Sequence, residues 1–564
     1  MLFRSNQVRA RVLVGGDLWW DPVGQTPYYE VPIGSGKNSI FSGALWIGGF
    51  DQAGQLKVAA QTYRQSGSND FWGGPINTSS GTPSIDNATC DAYDKFWPII
   101  RKEVSDFVAG GEATNEIKTW PGNGDISKGE LPLLAPFFDA DNNGVYDYNA
   151  GDYPYFLLTG DYGTNTTTGK VECNDYLFGD KSIWWVFNDV GNIKTETSSD
   201  PIGLEIRAQA FSFKTSNEIN FMTFYKYQII NRSSDVLDST YFGVWCDPDL
   251  GNAADDLVGC DVGLGLGFVY NGDPDDDGGS GYGLNPPAVG IDFFQGPLAD
   301  PNDGIDNNKD GVIDEPGEQI IMSRFVYYVN TNNVPNGNPN TTDDYYEYLS
   351  GSWLDGLPIT YGGDGRGGGS GATGTPCNYM FPDNTDPNFS TPWTMVTANL
   401  QPDDMRWLQS AGTFTLQPGA INYITTGVIW QRTTAGGPLA SVSLLKLADQ
   451  KAQAIFDNCF KILDGPDAPD LAIREGDRKL ILSLENVANK KVELYNEVDA
   501  VIPKAVQNAT GGFDTLTDAE RSYTFQGYKI YQVADATVSD ADVNDISKAK
   551  LIAQVRSEEH TSEL

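Results

Sequence analysis

Phe414-Thr-Leu-Gln-Pro-Gly-Ala-Ile-Asn-Tyr-Ile-Thr-Thr-Gly-Val-Ile-Trp430 carries two runs rich in aromatic and β-branched residues, separated by Pro418-Gly419. Such side chains fit a pleated surface, proline presets the first turn angle, and glycine accepts a left-handed one. The stretch predicts an antiparallel hairpin. The signature recurs where Ala44-Leu-Trp-Ile-Gly-Gly-Phe50 and Gln55-Leu-Lys-Val-Ala-Ala-Gln-Thr-Tyr63 flank Asp51-Gln-Ala-Gly54. Leu204, Ile206, Ala208 and Ala210 alternate with Glu205, Arg207 and Gln209, which predicts a half-buried strand. The phase then slips to Phe211 and Phe213, the mark of a bulge. Phe221 to Asn231 and Ser239 to Trp245 follow as strands joined by the polar Arg232-Ser-Ser-Asp235. With 63 Gly, 31 Pro and 12% aromatic residues in 564, the expected class is mainly β, a large antiparallel β-sandwich.

Two helices are expected beside it. Pro98 suits the first turn of a short one that runs to Phe107 and stops at Gly110-Gly111. A long one, about Ser441 to Phe460, repeats Leu444, Leu447, Ala448, Ala452, Ile455 and Cys459 at helical spacing and closes the sandwich. Asp464-Gly-Pro-Asp-Ala-Pro-Asp470 reads as a linker. The expected division is an N-terminal β-rich region over 6–120, a body over 121–463 and a further β domain over 464–555.

The formal charge of −39 repels phosphate backbones and anionic membrane surfaces, so nucleic acid is not an expected partner. No apolar run approaches the roughly 20 residues of a membrane helix, and no membrane insertion is expected in this segment. The single histidine is His560, so the remainder has no Ser-His-Asp or Cys-His arrangement and no imidazole ligand. Gly34-Ser-Gly-Lys37 lacks the upstream glycine and the following Ser or Thr of a phosphate loop. The cysteines are Cys90, Cys173, Cys246, Cys260, Cys377 and Cys459, with no C-x-x-C spacing. They suit an oxidising compartment. Cys246 and Cys260, which bracket one acidic loop, are the expected pair, with buried free thiols as the alternative.

Clustered carboxylates carry the chemistry that remains. In Asp303-Gly-Ile-Asp-Asn-Asn-Lys-Asp-Gly-Val-Ile-Asp-Glu-Pro-Gly-Glu318, Asp306, Asn308 and Asp310 alternate before Gly311, Val312 offers a carbonyl, and Asp314 follows. Calcium takes six to eight oxygens at about 2.3–2.6 Å, and this alternation turns successive oxygens toward one point. The acid expected six residues after the glycine is missing, with Glu318 one place late, and Pro316-Gly317 excludes an exiting helix. A second candidate is Asp139, Asp141, Asn143, Val145, Asp147 and Asp152 around Gly144. A third cluster, Asp247, Asp249, Asp255 and Asp256 with Asp261, follows a strand and suits calcium, a solvated loop or catalytic carboxylates. The expected cofactor is Ca2+.

The first two loops resemble the helix-free aspartate loops of thrombospondin type 3 repeats. Leu471 to Leu484 and Phe525-Gln-Gly-Tyr-Lys-Ile-Tyr531 resemble the early strands of a fibronectin type III domain. The family's usual second-strand Trp is absent, with Leu484 nearby. Ser42-Gly-Ala-Leu-Trp-Ile-Gly-Gly49, Asp247-Pro-Asp-Leu-Gly-Asn252 and Asn285-Pro-Pro-Ala-Val-Gly-Ile-Asp-Phe-Phe-Gln-Gly296 resemble large secreted Bacteroidota proteins of the type IX secretion pathway. That resemblance implies an extracellular or outer-surface address and no particular activity. Met1-Leu-Phe-Arg-Ser5 and Arg556-Ser-Glu-Glu-His-Thr-Ser-Glu-Leu564 look like translated sequencing adapters. The natural segment is then expected to span 6–555, with the fibronectin-like domain truncated.

These readings together give a non-enzymatic, calcium-binding surface protein for adhesion or display, with glycans or other surface proteins as partners. The alternative is a carbohydrate-binding or glycoside-hydrolysing sandwich using paired carboxylates.

Overall fold

The two runs flanking Pro418-Gly419 are strands, Met405–Leu416 and Ile421–Gln431, but they do not pair with each other. Each belongs to a different sheet, so the expected hairpin is an arch that carries the chain from one layer to the other. A tight turn with glycine at φ 73° serves either geometry, and the destination is set by which partner each strand finds.

The first layer is a nine-stranded antiparallel sheet. Its path runs Trp97–Ile100, Lys181–Asn188, Leu204–Ser212, Thr223–Asn231, Ile421–Gln431, Ala288–Gln295, Leu266–Asn271 and Asp256–Asp261, with Trp72–Gly73 beside Lys181–Asn188. The second has five strands in the order Arg324–Val329, Met405–Leu416, Leu237–Asp247, Ser42–Asp51 and Leu56–Ala60. Phe242 of the second meets Tyr227 and Phe293 of the first at ring distances of 6.3 and 5.9 Å, which places the core between the layers. Gln409 Nε2 crosses the same gap to the main-chain oxygen of Ile291 at 2.9 Å. This is the antiparallel sandwich the alternation predicts.

The computed structural model describes all residues except 65–66, 159–172, 333, 370, 462–468, 486–491, 500–501, 503–504, 508–512, 536–537, 539–547 and 557–564. The chain forms two units, Met1–Gln453 and Ala454–Leu564. Most of the expected linker at 464–470 and nearly all of the C-terminal adapter-like stretch lie outside the described residues. Leu2–Arg4, in the N-terminal adapter-like stretch, pairs with Arg9–Arg11. The second unit contains the hairpins Asp470–Gly476 with Lys479–Glu485, and Gly527–Val533 with Ala549–Arg556.

Four local expectations are corrected. Leu204–Ser212 runs in unbroken register with Thr223–Asn231, without a bulge, and Glu205, Arg207 and Gln209 are buried. A strand covered on both faces buries its polar row when other segments lie over it. Pro98 is in the strand Trp97–Ile100, and the helix Arg101–Val108 starts after it, because that strand caps the sheet edge at Lys181–Asn188. The long helix is Pro438–Asp457, and the expected Ala448, Ala452 and Ile455 are buried together with Ser441, Val442, Leu445 and Asp449, whereas Leu444 and Leu447 are 39% and 57% exposed. A buried aspartate interrupts the apolar period and shifts its apparent phase. Cys246 and Cys260 are not paired but are buried free thiols, on Leu237–Asp247 of one sheet and Asp256–Asp261 of the other. Cys173 and Cys459 are disulfide-bonded.

Among the described residues no helix is long and apolar enough to cross a membrane.

Candidate metal centres

Two acidic loops share one backbone scaffold. Asp139 accepts hydrogen bonds from Asn143 N at 3.1 Å and Gly144 N at 2.7 Å, Asp141 accepts from Asn143 N at 3.3 Å, and Asn143 from Val145 N at 2.6 Å. In the other loop Asp306 accepts from Asp310 N at 3.1 Å and Gly311 N at 3.0 Å, Asn308 from Asp310 N at 3.0 Å, and Asp310 from Val312 N at 2.9 Å. Donors and acceptors match position for position. Gly144 and Gly311 take φ of 76° and 93° at the same step, a conformation in which a side chain would be strained. Main-chain N–H groups directed at the Asp139 carboxylate, Gly144 N foremost, hold it below the usual range.

The correspondence also identifies the residues that close each loop. Asp152 is fully buried and accepts from Ala140 N and Asp147 N, both at 2.8 Å. Glu318, likewise buried, accepts from Asn307 N. Each acid therefore binds the residue that follows the first aspartate of its loop. The place given in sequence to Asp314 as the last ligand corresponds to Asp147. Asp314 instead accepts from Gly304 N at 3.1 Å, and Asp147 from Asn149 N at 2.9 Å. Asp139, Asp141 and Asp152 bring carboxylate oxygens within 4.8 Å of one another. At the other loop Asn308 stands where Asp141 does and Asp310 where Asn143 does, so carboxylate and amide exchange places with no change of charge. Val145 and Val312 are exposed, and their N–H groups close the turns.

The third cluster divides. Asp247 and Asp249 meet Asp404, with oxygens again within 4.8 Å. Asp404 precedes the strand Met405–Leu416, which pairs with Leu237–Asp247, so adjacent strand ends deliver the three acids. Asp247 Oδ2 accepts from the Tyr63 hydroxyl at 2.6 Å and from Arg406 Nη2 at 3.1 Å, while Arg406 Nη1 also bonds Asp404. Three carboxylates thus face one guanidinium. Asp247 Oδ1 and Ser42 Oγ, on cross-strand neighbours, are buried with no hydrogen-bond partner among the described residues. Burial raises the Asp247 carboxyl, and burial followed by the charge of Asp247 raises Asp249.

Asp255 and Asp256 turn away from that group. Asp256 Oδ2 accepts from Leu250 N at 2.8 Å, and Asp255 Oδ2 from Asn252 Nδ2 at 3.2 Å. Asp276 lies beside them and takes Tyr282 N at 2.7 Å and Asn252 N at 3.2 Å. Sequence reasoning missed Asp404 because it is remote along the chain and carries no motif. The signal for Glu318 was present, as an acid at nearly the same distance from the first aspartate in both loops.

No protein-family model matches the chain, and the search of curated proteins returns no match.

Proposed function

We propose that the protein is a non-enzymatic, calcium-stabilised protein of the cell surface or extracellular space that serves adhesion or display. The observation that carries the reading is the shared scaffold of Asp139–Asp152 and Asp306–Glu318, two separate sequences built to the same pattern of turned-in oxygens. Oxygen-only donor sets suit a hard cation, and the buried acid closing each loop adds a charge. The Asp247–Asp249–Asp404 group supports it independently. The buried Asp247 and the half-buried Asp249 and Asp404 share one guanidinium, and a divalent cation among them favours their ionised forms. The surface address rests on the resemblance of three sequence passages to secreted Bacteroidota proteins.

Extracellular sites of this kind bind calcium weakly, and at about tenfold excess over the dissociation constant each adds roughly 1.4 kcal/mol. Several sites matter against a total of about 5–15 kcal/mol. Thermal melting with and without EDTA tests this. A clear fall in melting temperature on chelation, reversed by calcium, is expected, and an unchanged melting curve removes the proposal.

A further inference from the structure

A cavity of about 440 Å3 lies between the outer face of the nine-stranded sheet and the segments that cover it. Strand register aligns its floor in two rows, Trp184, Gln209 and Lys226 in one, Arg207, Gln228 and Tyr423 in the next. Tyr155 and Tyr176, both half-buried with rings 4.7 Å apart, form a wall. Sites for small molecules have this size, with aromatic surface punctuated by a few fixed polar groups.

The polar groups are fixed before any ligand arrives. Arg207 Nη1 donates to Gln228 Oε1 at 3.4 Å, and Gln228 Nε2 to the Tyr423 hydroxyl at 3.1 Å. Lys226 is 7% exposed, and its ammonium donates to the main-chain oxygens of Asn174 and Tyr176. Among the described residues that uses two of its three N–H groups and leaves one. The rings of Phe178 and Tyr423, 5.1 and 5.7 Å away, hold the amine in place.

The ligand class follows from charge and shape. Arg207 is paired with the buried Glu205 and Asp139 belongs to a calcium loop, which leaves Lys226 beside Asp175, one of each sign, so the lining favours no net charge. Donors and acceptors are interleaved on the floor, and aromatic faces stand at the side. A ring with hydroxyls around its edge and C–H groups on its faces satisfies both. We infer that the cavity binds a neutral saccharide unit, its face against Tyr155 and Tyr176 and its hydroxyls on Gln228, Tyr423 and Lys226. The inference rests on the adhesion reading for its purpose and on the cavity alone for its chemistry.

The full chain is titrated calorimetrically, with and without calcium, against neutral oligosaccharides of glucose, mannose, xylose and galactose, and against a uronic acid oligomer. Saturable binding of a neutral oligosaccharide is expected, weakened at least about tenfold in Tyr176→Ala and in Gln228→Leu. Circular dichroism verifies folding, and Tyr176→Ala, on a half-buried covering segment, decides alone if Gln228→Leu does not fold. Absence of neutral binding at millimolar sugar, preference for the uronate, or binding unchanged in Tyr176→Ala overturns the inference. Binding that persists when calcium has no effect on melting supports it while removing the calcium reading.

Discussion

Asn231 Nδ2 donates to the main-chain oxygen of Leu416 at 3.1 Å, tying the Pro418-Gly419 arch to the turn between Thr223–Asn231 and Leu237–Asp247, which also crosses between the sheets. The same nitrogen donates to Asp235 O at 2.8 Å, and Asn231 Oδ1 accepts from Ser233 N and the Ser233 hydroxyl at 2.9 and 2.7 Å. The side chain is fully buried, so its loss strands several partners at once. Asn231→Ala is expected to lower the unfolding free energy by roughly 2–4 kcal/mol. Urea denaturation measures this, and a loss below about 1 kcal/mol would show that each arch holds without the clamp.

Asp449 faces Asp292 beneath the helix Pro438–Asp457, and Lys446 on that helix is held by Asp261 at 2.7 Å. Burial first, and then the charge of Asp292, keep the Asp449 carboxyl well above its usual range. The folded state therefore binds the proton more tightly than the unfolded one. The stabilisation is present at low pH and is lost as pH rises through the raised value. Asp449→Asn is expected to flatten this slope and to stabilise the protein at pH 8 by roughly 1–3 kcal/mol. Melting from pH 5 to 8 checks it, with parallel curves for variant and wild type as the contrary result.

Asp404 adds a third carboxylate to Asp247 and Asp249. Replacing it by Asn is expected to remove one calcium equivalent in equilibrium dialysis while the two loops still bind. Asp152→Asn is expected to remove a different equivalent, so the double variant loses both. Unchanged stoichiometry in Asp404→Asn would assign that group to Arg406 alone.

The hairpin Asp470–Gly476 with Lys479–Glu485 leaves Leu471, Ile473 and Ile481 more than half exposed. Thermolysin, which cuts beside such residues, is expected to digest the Ala454–Leu564 unit before the Met1–Gln453 unit. Mass spectrometry of a time course reads the order, and equal survival of both would contradict it.

Strand positions were legible in the sequence because aromatic and β-branched runs between turn residues have few other uses. Membership of a sheet was not. Pro418-Gly419 and Asp51-Gln-Ala-Gly54 are both strong turns, yet one joins two layers and the other closes a hairpin within one. The choice depends on Ile421–Gln431 finding Thr223–Asn231, a distant partner. The calcium-like loops could be read because their donors are local. Asp404 could not, since pairing of remote strands brings it to Asp247. Helix phase failed for a related reason, with Asp449 buried where periodicity reads it as solvent-facing.

The same crossings bear on when the protein can acquire its structure during synthesis. Leu237–Asp247 lies between Ser42–Asp51 and Met405–Leu416, so the middle of the five-stranded sheet needs residues from both ends of the Met1–Gln453 unit. At about 5–20 residues per second, the earliest of these strands leaves the ribosome some 20–70 seconds before the last. Such long-range pairing makes for slow folding. Until Leu416 emerges, Leu237–Asp247 has one open edge, which is free to pair with another chain.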